Sequence, residues 1–238
     1  MSSVNGGWDG PAIVKDGLVL YLDAGSPNSF YPLTAGTTWK DISGLANNGT
    51  LTNGPTYSTA NGGSIVFDGA DDTFLGSSTS ALISNNFTLQ ITIKPDTIPS
   101  GNFSSISDFQ FSYSGRNGFY LGLDNRPAVN VANTVFISIG ADNTYLYSTQ
   151  NSVITNGNNI YIISFVATNG VLSLYVNGTL SAGLSGNNNP GSITYTGTNY
   201  NIRNTYKGSW YNYILYNRAL SASEINQNFQ ATRARFGI

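Results

Sequence analysis

The chain has 238 residues, and its ten basic and twelve acidic side chains give a formal net charge of −2. This balance, with no run of lysine or arginine, excludes the basic surface that nucleic-acid binding requires. Cysteine and histidine are both absent, which excludes disulfides, the common zinc sites and the usual nucleophile–base pairs of hydrolases.

Charged residues make up only 9% of the chain, so solubility depends on a neutral surface of Asn, Ser, Thr and Gly. Such a surface is typical of extracellular or virion-exterior proteins. The first residues show neither the basic nor the apolar segment of a secretory signal. No apolar run approaches the length of a membrane helix, so membrane insertion is not expected.

Residues 1–15 are rich in glycine and are expected to form an N-terminal arm. After them, β-branched and aromatic runs alternate with turn residues, which predicts an all-β antiparallel sandwich. In the run at 87–93, apolar residues fall on one face and Thr and Gln on the other, as in a half-buried strand. The clearest predicted strands lie at residues 18–22, 65–67, 87–93, 119–123, 129–139, 160–166, 171–176 and 211–216.

Two Asn-Gly dipeptides predict tight turns. Asn169-Gly170 separates two strand-like runs, so a type I′ hairpin with positive φ at both residues is expected. The same dipeptide recurs at Asn177-Gly178, where the second of these runs ends.

One short helix is predicted near the end of the chain. Ser221 and Glu224 have the spacing of a capping box, and Ile225 and Phe229 then share a face. We expect this helix to dock on an edge of the sandwich, within a domain spanning residues 16–230. Residues 231–238 are expected to be a C-terminal tail, either frayed or used as an anchoring peptide.

An acidic turn is the one candidate metal site. Asp68, Asp71 and Asp72 offer hard oxygen ligands that could hold Ca²⁺ with help from backbone carbonyls. The alternative needs no metal, because Asp side chains commonly accept hydrogen bonds from the backbone of their own turn.

Tyrosines amid Asn and Thr form the candidate glycan-binding surface. Tyr195, Tyr200, Tyr206 and Tyr211 could stack on sugar rings while neighbouring amides bind hydroxyls. The alternative is that such strand aromatics pack across the sheet. Trp39 and Trp210 are expected to be core anchors rather than sugar platforms.

Glycoside hydrolysis is the enzymatic activity that remains to be weighed. It requires two carboxylates about 5–9.5 Å apart across the scissile bond. The single glutamate, Glu224, is assigned to the capping box, and no predicted strand carries two acids on one face. We therefore predict no catalytic residues and no enzymatic activity.

Several segments together resemble one family. They contain the sequences Asp16-Gly17-Leu18-Val19-Leu20-Tyr21-Leu22-Asp23 and Asn47-Asn48-Gly49-Thr50-Leu51, and further segments at 39–44, 64–72 and 208–221. The chain resembles the laminin-G-like/concanavalin A-like lectin-glucanase family. Residues 10–75 and 160–230 look like its members in tailed-phage virions.

The resemblance implies a concanavalin A-like jelly roll with a terminal helix, a fold that serves lectins, glycosidases and structural modules alike. It also implies calcium near loops like that at 68–72. Against calcium, the chain has Trp210-Tyr211-Asn212 where the family often has an Ile-Asp pair after the late glycine.

The sequence therefore predicts a non-enzymatic phage virion surface protein, a capsid decoration or a tail or head appendage subunit, that can contact host glycans. The alternative is a calcium-assisted carbohydrate-binding adhesion module, and a glycoside hydrolase is least favoured. Expected partners are capsid or tail proteins. Edge strands with few charges favour a homo-oligomer. The chain is expected to be made in the host cytoplasm and to reside on the virion surface.

Overall fold

A computed structural model describes residues 12–30, 36–78, 82–96, 103–109, 118–124, 134–141, 144–150, 154, 157, 159–169, 171–181, 199–202 and 205–238. These residues contain sixteen strands, one 3₁₀ helix at Ala60–Gly62 and one α-helix, α1, at Ala222–Phe236. The strands form two antiparallel sheets, which confirms the predicted all-β sandwich. Within this described part of the chain, no helix is long and apolar enough to cross a membrane.

The first sheet has eight strands. Seven lie side by side in the order β14, β13, β12, β7, β16, β5 and β4, while β1 pairs with β16. The bounds are β1 (Leu18–Asp23), β4 (Thr56–Ser58), β5 (Ser64–Asp68), β7 (Phe87–Pro95), β12 (Tyr161–Thr168), β13 (Val171–Val176), β14 (Thr179–Leu180) and β16 (Lys207–Tyr216).

The second sheet also has eight strands, in the order β11, β10, β9, β8, β15, β6, β3 and β2. Its β10 begins at Thr134, so residues 129–133 of the predicted run lie outside the described residues. The bounds are β2 (Thr38–Trp39), β3 (Gly49–Thr52), β6 (Thr73–Ser77), β8 (Phe103–Phe109), β9 (Gly118–Asp124), β10 (Thr134–Ala141), β11 (Thr144–Gln150) and β15 (Asn199–Ile202).

Aromatic residues fill the space between the two sheets. Trp39 and Trp210 are fully buried, as predicted for core anchors. The Trp39 ring meets Phe74 edge to face at 5.4 Å, and Trp210 stacks on Tyr213 at 5.9 Å. Each of these contacts lies within one sheet, and the two sheets meet where Tyr213 of β16 packs against Tyr200 of β15 with 5.8 Å between ring centroids.

Strand β7 is buried on both faces, so the prediction of a half-buried strand at 87–93 was wrong. Phe87, Leu89 and their alternate neighbours face the core, but Thr88, Gln90 and Thr92 are also fully buried. Their side is covered by the C-terminal segment. Thr88 Oγ1 donates to Arg218 O at 3.0 Å, and Asn228 Nδ2 of α1 donates to Gln90 Oε1 at 3.4 Å.

Helix α1 begins as the sequence predicts. Ser221 is the N-cap, and the capping box with Glu224 is present on both sides. The helix covers the outer face of the first sheet rather than an edge, since Ile225 packs with Ile214 of β16 and Val166 of β12. The expected docking on an edge was therefore wrong.

The C-terminal residues are helical and packed, which corrects the prediction of a frayed tail at 231–238. Helix α1 continues to Phe236, whose side chain is buried against Ile162 and Tyr211. The expected N-terminal arm also ends in packed residues, because Ile13 and Val14 are buried beside the helix. The boundaries at 16 and 230 thus cut through contacts that belong to the domain.

The two Asn-Gly dipeptides predicted to form tight turns, at 169–170 and 177–178, lie at two-residue hairpins. Thr168 pairs with Val171 across the first, and Val176 pairs with Thr179 across the second. Asn177 and Gly178 have φ of 49° and 76°, as a type I′ turn requires. Asn169 has a φ of 49°, whereas Gly170 lies outside the described residues.

Candidate functional site

The predicted glycan-binding tyrosines are core residues wherever the structure describes them. Tyr200, Tyr206 and Tyr211 are at most 1% exposed, so their rings cannot stack on a sugar at the surface. The prediction for these three side chains was therefore wrong. Tyr195 lies outside the described residues.

Each of the three hydroxyl groups has a structural partner. Tyr200 donates to the backbone carbonyl of Asn47, and burial raises the pKa of its phenol far above the usual value. Tyr206 donates to Ser209 O at 3.0 Å, and its ring meets Trp210 edge to face. Tyr211 accepts from Asn61 Nδ2 at 3.2 Å. The phenols therefore complete the polar contacts of the fold.

The acidic turn brings together the residues that the sequence singled out. One carboxylate oxygen from each of Asp68, Asp71 and Asp72 lies within 4.8 Å of the others, which is close enough for a single cation. Asp68 and Asp71 are exposed and Asp72 is buried. The turn joins β5 of the first sheet to β6 of the second.

Backbone groups already use two of these carboxylates. Asp68 Oδ1 accepts from Ala70 N at 2.8 Å, and this bond lowers the pKa of the Asp68 carboxyl. Asp72 Oδ2 accepts from Asp68 N at 2.9 Å, while burial raises the pKa of the Asp72 carboxyl. The explanation as a hydrogen-bonded turn therefore accounts for Asp68 and Asp72 without a metal, and calcium stays a prediction.

Asp41, in one of the segments that carries the family resemblance, holds a loop together. Its Oδ1 accepts from Tyr21 N and Ser43 N, and its Oδ2 accepts from Asn47 N and Ser43 Oγ, at 2.8–2.9 Å. Asn47 Nδ2 then donates to Val19 O. These hydrogen bonds tie the loop after β2 to β1, so the polar groups of Asp41 and Asn47 stabilise the fold.

Glu224 is likewise held by structural partners. Its carboxylate forms an ion pair with Arg218 at 2.6 Å and accepts from Ser221 N at 2.8 Å. The Arg218 hydrogen bond, followed by that from Ser221, lowers the pKa of the Glu224 carboxyl to about 2. A group ionised so strongly is a poor general acid at neutral pH.

The concave feature that the sequence did not predict is a groove at the end of α1, here called the helix-end groove. Its volume is about 450 Å³, within the range of small-molecule sites. Five of the described lining residues have polar side chains, namely three asparagines, one lysine and one tyrosine. Its lining residues are Asn61, Lys94, Asn159, Ile160, Tyr161, Asn177, Phe236 and Ile238.

Residues 67–226, more than half of the chain, match the family model of the concanavalin A-like lectin/glucanases superfamily. The chain belongs to this superfamily. No curated protein sequence matches the chain.

Solved structures share this fold at low sequence identity. The botulinum neurotoxin serotype D binding domain superposes with a TM-score of 0.71 at 14% identity, covering 91% of this chain and 52% of that one. The binding domain of botulinum neurotoxin DC in complex with SialylT gives 0.70 at 12% identity, covering 92% and 52%. The present chain thus spans about half the length of the toxin binding domains.

A third structure matches over nearly its whole length. It is domain 4 of AbnA, a GH43 extracellular arabinanase from Geobacillus stearothermophilus, in complex with arabinotriose. The TM-score is 0.64 at 16% identity, and the match covers 90% of this chain and 98% of that domain. At such identities the likeness establishes the jelly-roll fold.

Proposed function

We propose that the protein is a non-enzymatic component of a phage virion surface, a capsid decoration or a tail or head appendage subunit, whose lectin-like domain contacts glycans. The observation that carries the glycan part is the near-complete match to an arabinanase domain in complex with arabinotriose. A whole domain of this size and fold is thereby known to hold a saccharide, and the present chain has a polar groove of suitable volume.

The absence of catalysis is supported by how the acids are used. Glycosidases need a carboxyl group that remains protonated near neutral pH and a second that stays ionised. Glu224 serves the helix cap and Arg218. Asp41 and Asp72 accept backbone hydrogen bonds that hold turns.

Display on a virion is supported by the resemblance of residues 10–75 and 160–230 to laminin-G-like proteins of tailed phages and by the surface poor in charge. Val171 and Leu180 are exposed apolar side chains on neighbouring strands at one edge of the first sheet. They support contact with a capsid or tail protein or with another copy of the chain.

A calcium-assisted adhesion module is the second candidate, and the specific observation that favours it is the close approach of Asp68, Asp71 and Asp72. In that case saccharide binding would require calcium and would be independent of any virion.

Two experiments test the proposal. Antibody against the chain is applied to purified virions, where regular labelling of capsid or tail is expected and unlabelled virions would overturn the virion role. The purified protein is also applied to a saccharide array in calcium and in EDTA. Binding in both buffers is expected, binding in calcium alone would favour the adhesion module, and no binding would overturn the glycan role.

A further inference from the structure

We propose that the helix-end groove binds a short saccharide that carries a carboxylate, with Lys94 pairing with the acid and asparagine amides binding the hydroxyls. This inference rests on the proposed glycan contact and assigns it to a definite site. The groove lies on the outer side of the first sheet, where the end of α1 meets β7, the start of β12 and the turn between β13 and β14.

Two of the asparagines are held in place by hydrogen bonds, Asn177 to the backbone and Asn61 to the Tyr211 side chain. Asn177 Oδ1 accepts from Ile162 N at 2.9 Å, and Asn177 N donates to Ile162 O at 2.8 Å. Its NH₂ group has no partner among the described residues and is free to donate. Asn61, whose φ is 51°, donates through Nδ2 to Tyr211 OH, which leaves its amide oxygen to accept.

Asn159 adds an exposed amide beside these two fixed groups. A set of amides supplies both donors and acceptors, which is what a ligand rich in hydroxyl groups requires. An apolar ligand would leave the amides desolvated and unpaired, at a cost in affinity.

Charge narrows the ligand class further. Lys94 is the one charged side chain among the described lining residues. The nearby cation Arg235 is already neutralised by Asp23, with 2.6 Å between Nη1 and Oδ1. Lys94 has no ion-pair partner among the described residues, so a carboxylate on the ligand would supply the missing counter-charge.

The apolar side of the groove suits the C–H faces of a sugar ring. Ile160 and Ile238 are half-buried there. The Phe236 ring is fixed edge to face against Tyr211 at 5.0 Å. Because these contacts immobilise the ring before a ligand arrives, binding requires little reordering of the apolar wall.

The test uses an array on which uronate- and sialate-containing saccharides are paired with their neutral counterparts. The intact chain is expected to prefer the acidic members. Lys94→Gln should lose that preference and bind them about tenfold more weakly, equal to about 1.4 kcal/mol. Asn159→Ala should weaken binding of acidic members, because it removes one amide. Lys40→Gln, which removes an exposed lysine elsewhere, should leave binding unchanged.

Melting temperatures of all variants are measured alongside, and a second readout does not depend on substitution. When the best acidic saccharide of the array is added to the intact chain, the side-chain amide NMR signals of Asn159 and Asn177 should shift. Saccharide binding that Lys94→Gln leaves intact, or shifts confined to other residues, would overturn the groove assignment and leave the glycan role standing. No binding by the intact chain to any saccharide would overturn both.

Discussion

Arg235, one residue before the end of α1, forms an ion pair with Asp23 at the end of β1, with 2.6 Å between Nη1 and Oδ1. Arg235 also donates through Nη2 to Gly63 O at 2.7 Å and through Nε to Asn61 O at 3.2 Å. One side chain thus fastens the last turn of the helix to β1 and to the segment between β4 and β5. The side chains of Arg235 and Asp23 are only 19% and 13% exposed, so water weakens their attraction less than it would at an open surface.

Arg235→Ala should therefore destabilise the fold by about 2 kcal/mol, because it leaves Asp23 and two carbonyls without their charged partner. For a chain of this length, that loss lowers the melting temperature by about 4–8 °C. Thermal unfolding followed by circular dichroism measures it. Arg233→Ala is the matched control, since Arg233 is exposed on the same turn, and equal effects of the two substitutions would contradict the fastening role.

Glu224→Gln should reduce stability near neutral pH, and the deficit should shrink in acid. The pKa of the Glu224 carboxyl lies near 2 in the folded chain, below its ordinary value of 4.5, because Arg218 and then Ser221 bind the ionised form. The folded state therefore favours the ionised carboxylate, and this stabilisation is complete above pH 4.5 and is lost as the pH falls towards 2.

Melting curves of both forms between pH 7 and pH 2 check this prediction. Gln keeps the hydrogen-bonding pattern of the capping box and lacks the charge. A deficit of constant size across this range would mean that the ion pair with Arg218 contributes nothing.

The start of the last helix and the long strands were predictable because their determinants are local. Ser221 and Glu224 lie three residues apart, and alternating apolar residues mark β7. What covers β7 was not predictable, because its Thr and Gln face is buried by a helix whose Asn228 lies 138 residues after Gln90. The end of that helix likewise depends on Asp23, which is 212 residues away from Arg235.

The candidate sites divide in the same way. The three aspartates of the acidic turn lie within five positions of one another, so their proximity could be predicted from the sequence. Tyr200 could not be assigned to a face, because β15 is short and its register with β6 and β8 is set by distant residues. The helix-end groove combines Asn61, Lys94, Asn159 and Asn177 from separate segments of the chain. No local sequence pattern predicts that these residues lie together.

Tyr200→Phe should lower stability and leave saccharide binding unchanged. The Tyr200 hydroxyl donates to the buried carbonyl of Asn47, so its removal leaves that carbonyl unpaired at a cost of about 1–2 kcal/mol. Tyr175→Phe is the control, because Tyr175 is half-buried and its hydroxyl has no partner among the described residues. A loss of saccharide binding at unchanged melting temperature would restore Tyr200 as a ligand contact.

Asp72→Ala should destabilise the chain equally in calcium and in EDTA. The substitution removes the acceptor of the Asp68 N–H, a cost of about 1–2 kcal/mol that does not depend on a metal. Asp71→Ala, which changes an exposed member of the same cluster, should have little effect in either buffer. A loss seen in calcium but not in EDTA, for both variants, would instead establish a calcium site.

Two fully buried asparagines, one on α1 and one on β16, should respond in opposite ways to replacement. Asn228 on the helix is paired, since its Oδ1 accepts from Val14 N at 2.8 Å and its Nδ2 donates to Tyr216 OH at 2.9 Å. Asn212 of β16 lies in register with Asp23 on one side and Thr92 on the other. Neither polar atom of its side chain has a hydrogen-bond partner among the described residues.

Asn212→Val should therefore leave stability unchanged or raise it by about 1 kcal/mol, because the buried amide no longer has to be desolvated and a β-branched residue suits the strand. Asn228→Leu should cost about 2–4 kcal/mol, since Val14 N loses its acceptor and Tyr216 OH keeps only its bond to Val14 O. Urea unfolding of the two variants measures both effects. A comparable loss in Asn212→Val would mean that the Asn212 amide binds an ordered water whose hydrogen bonds stabilise β16.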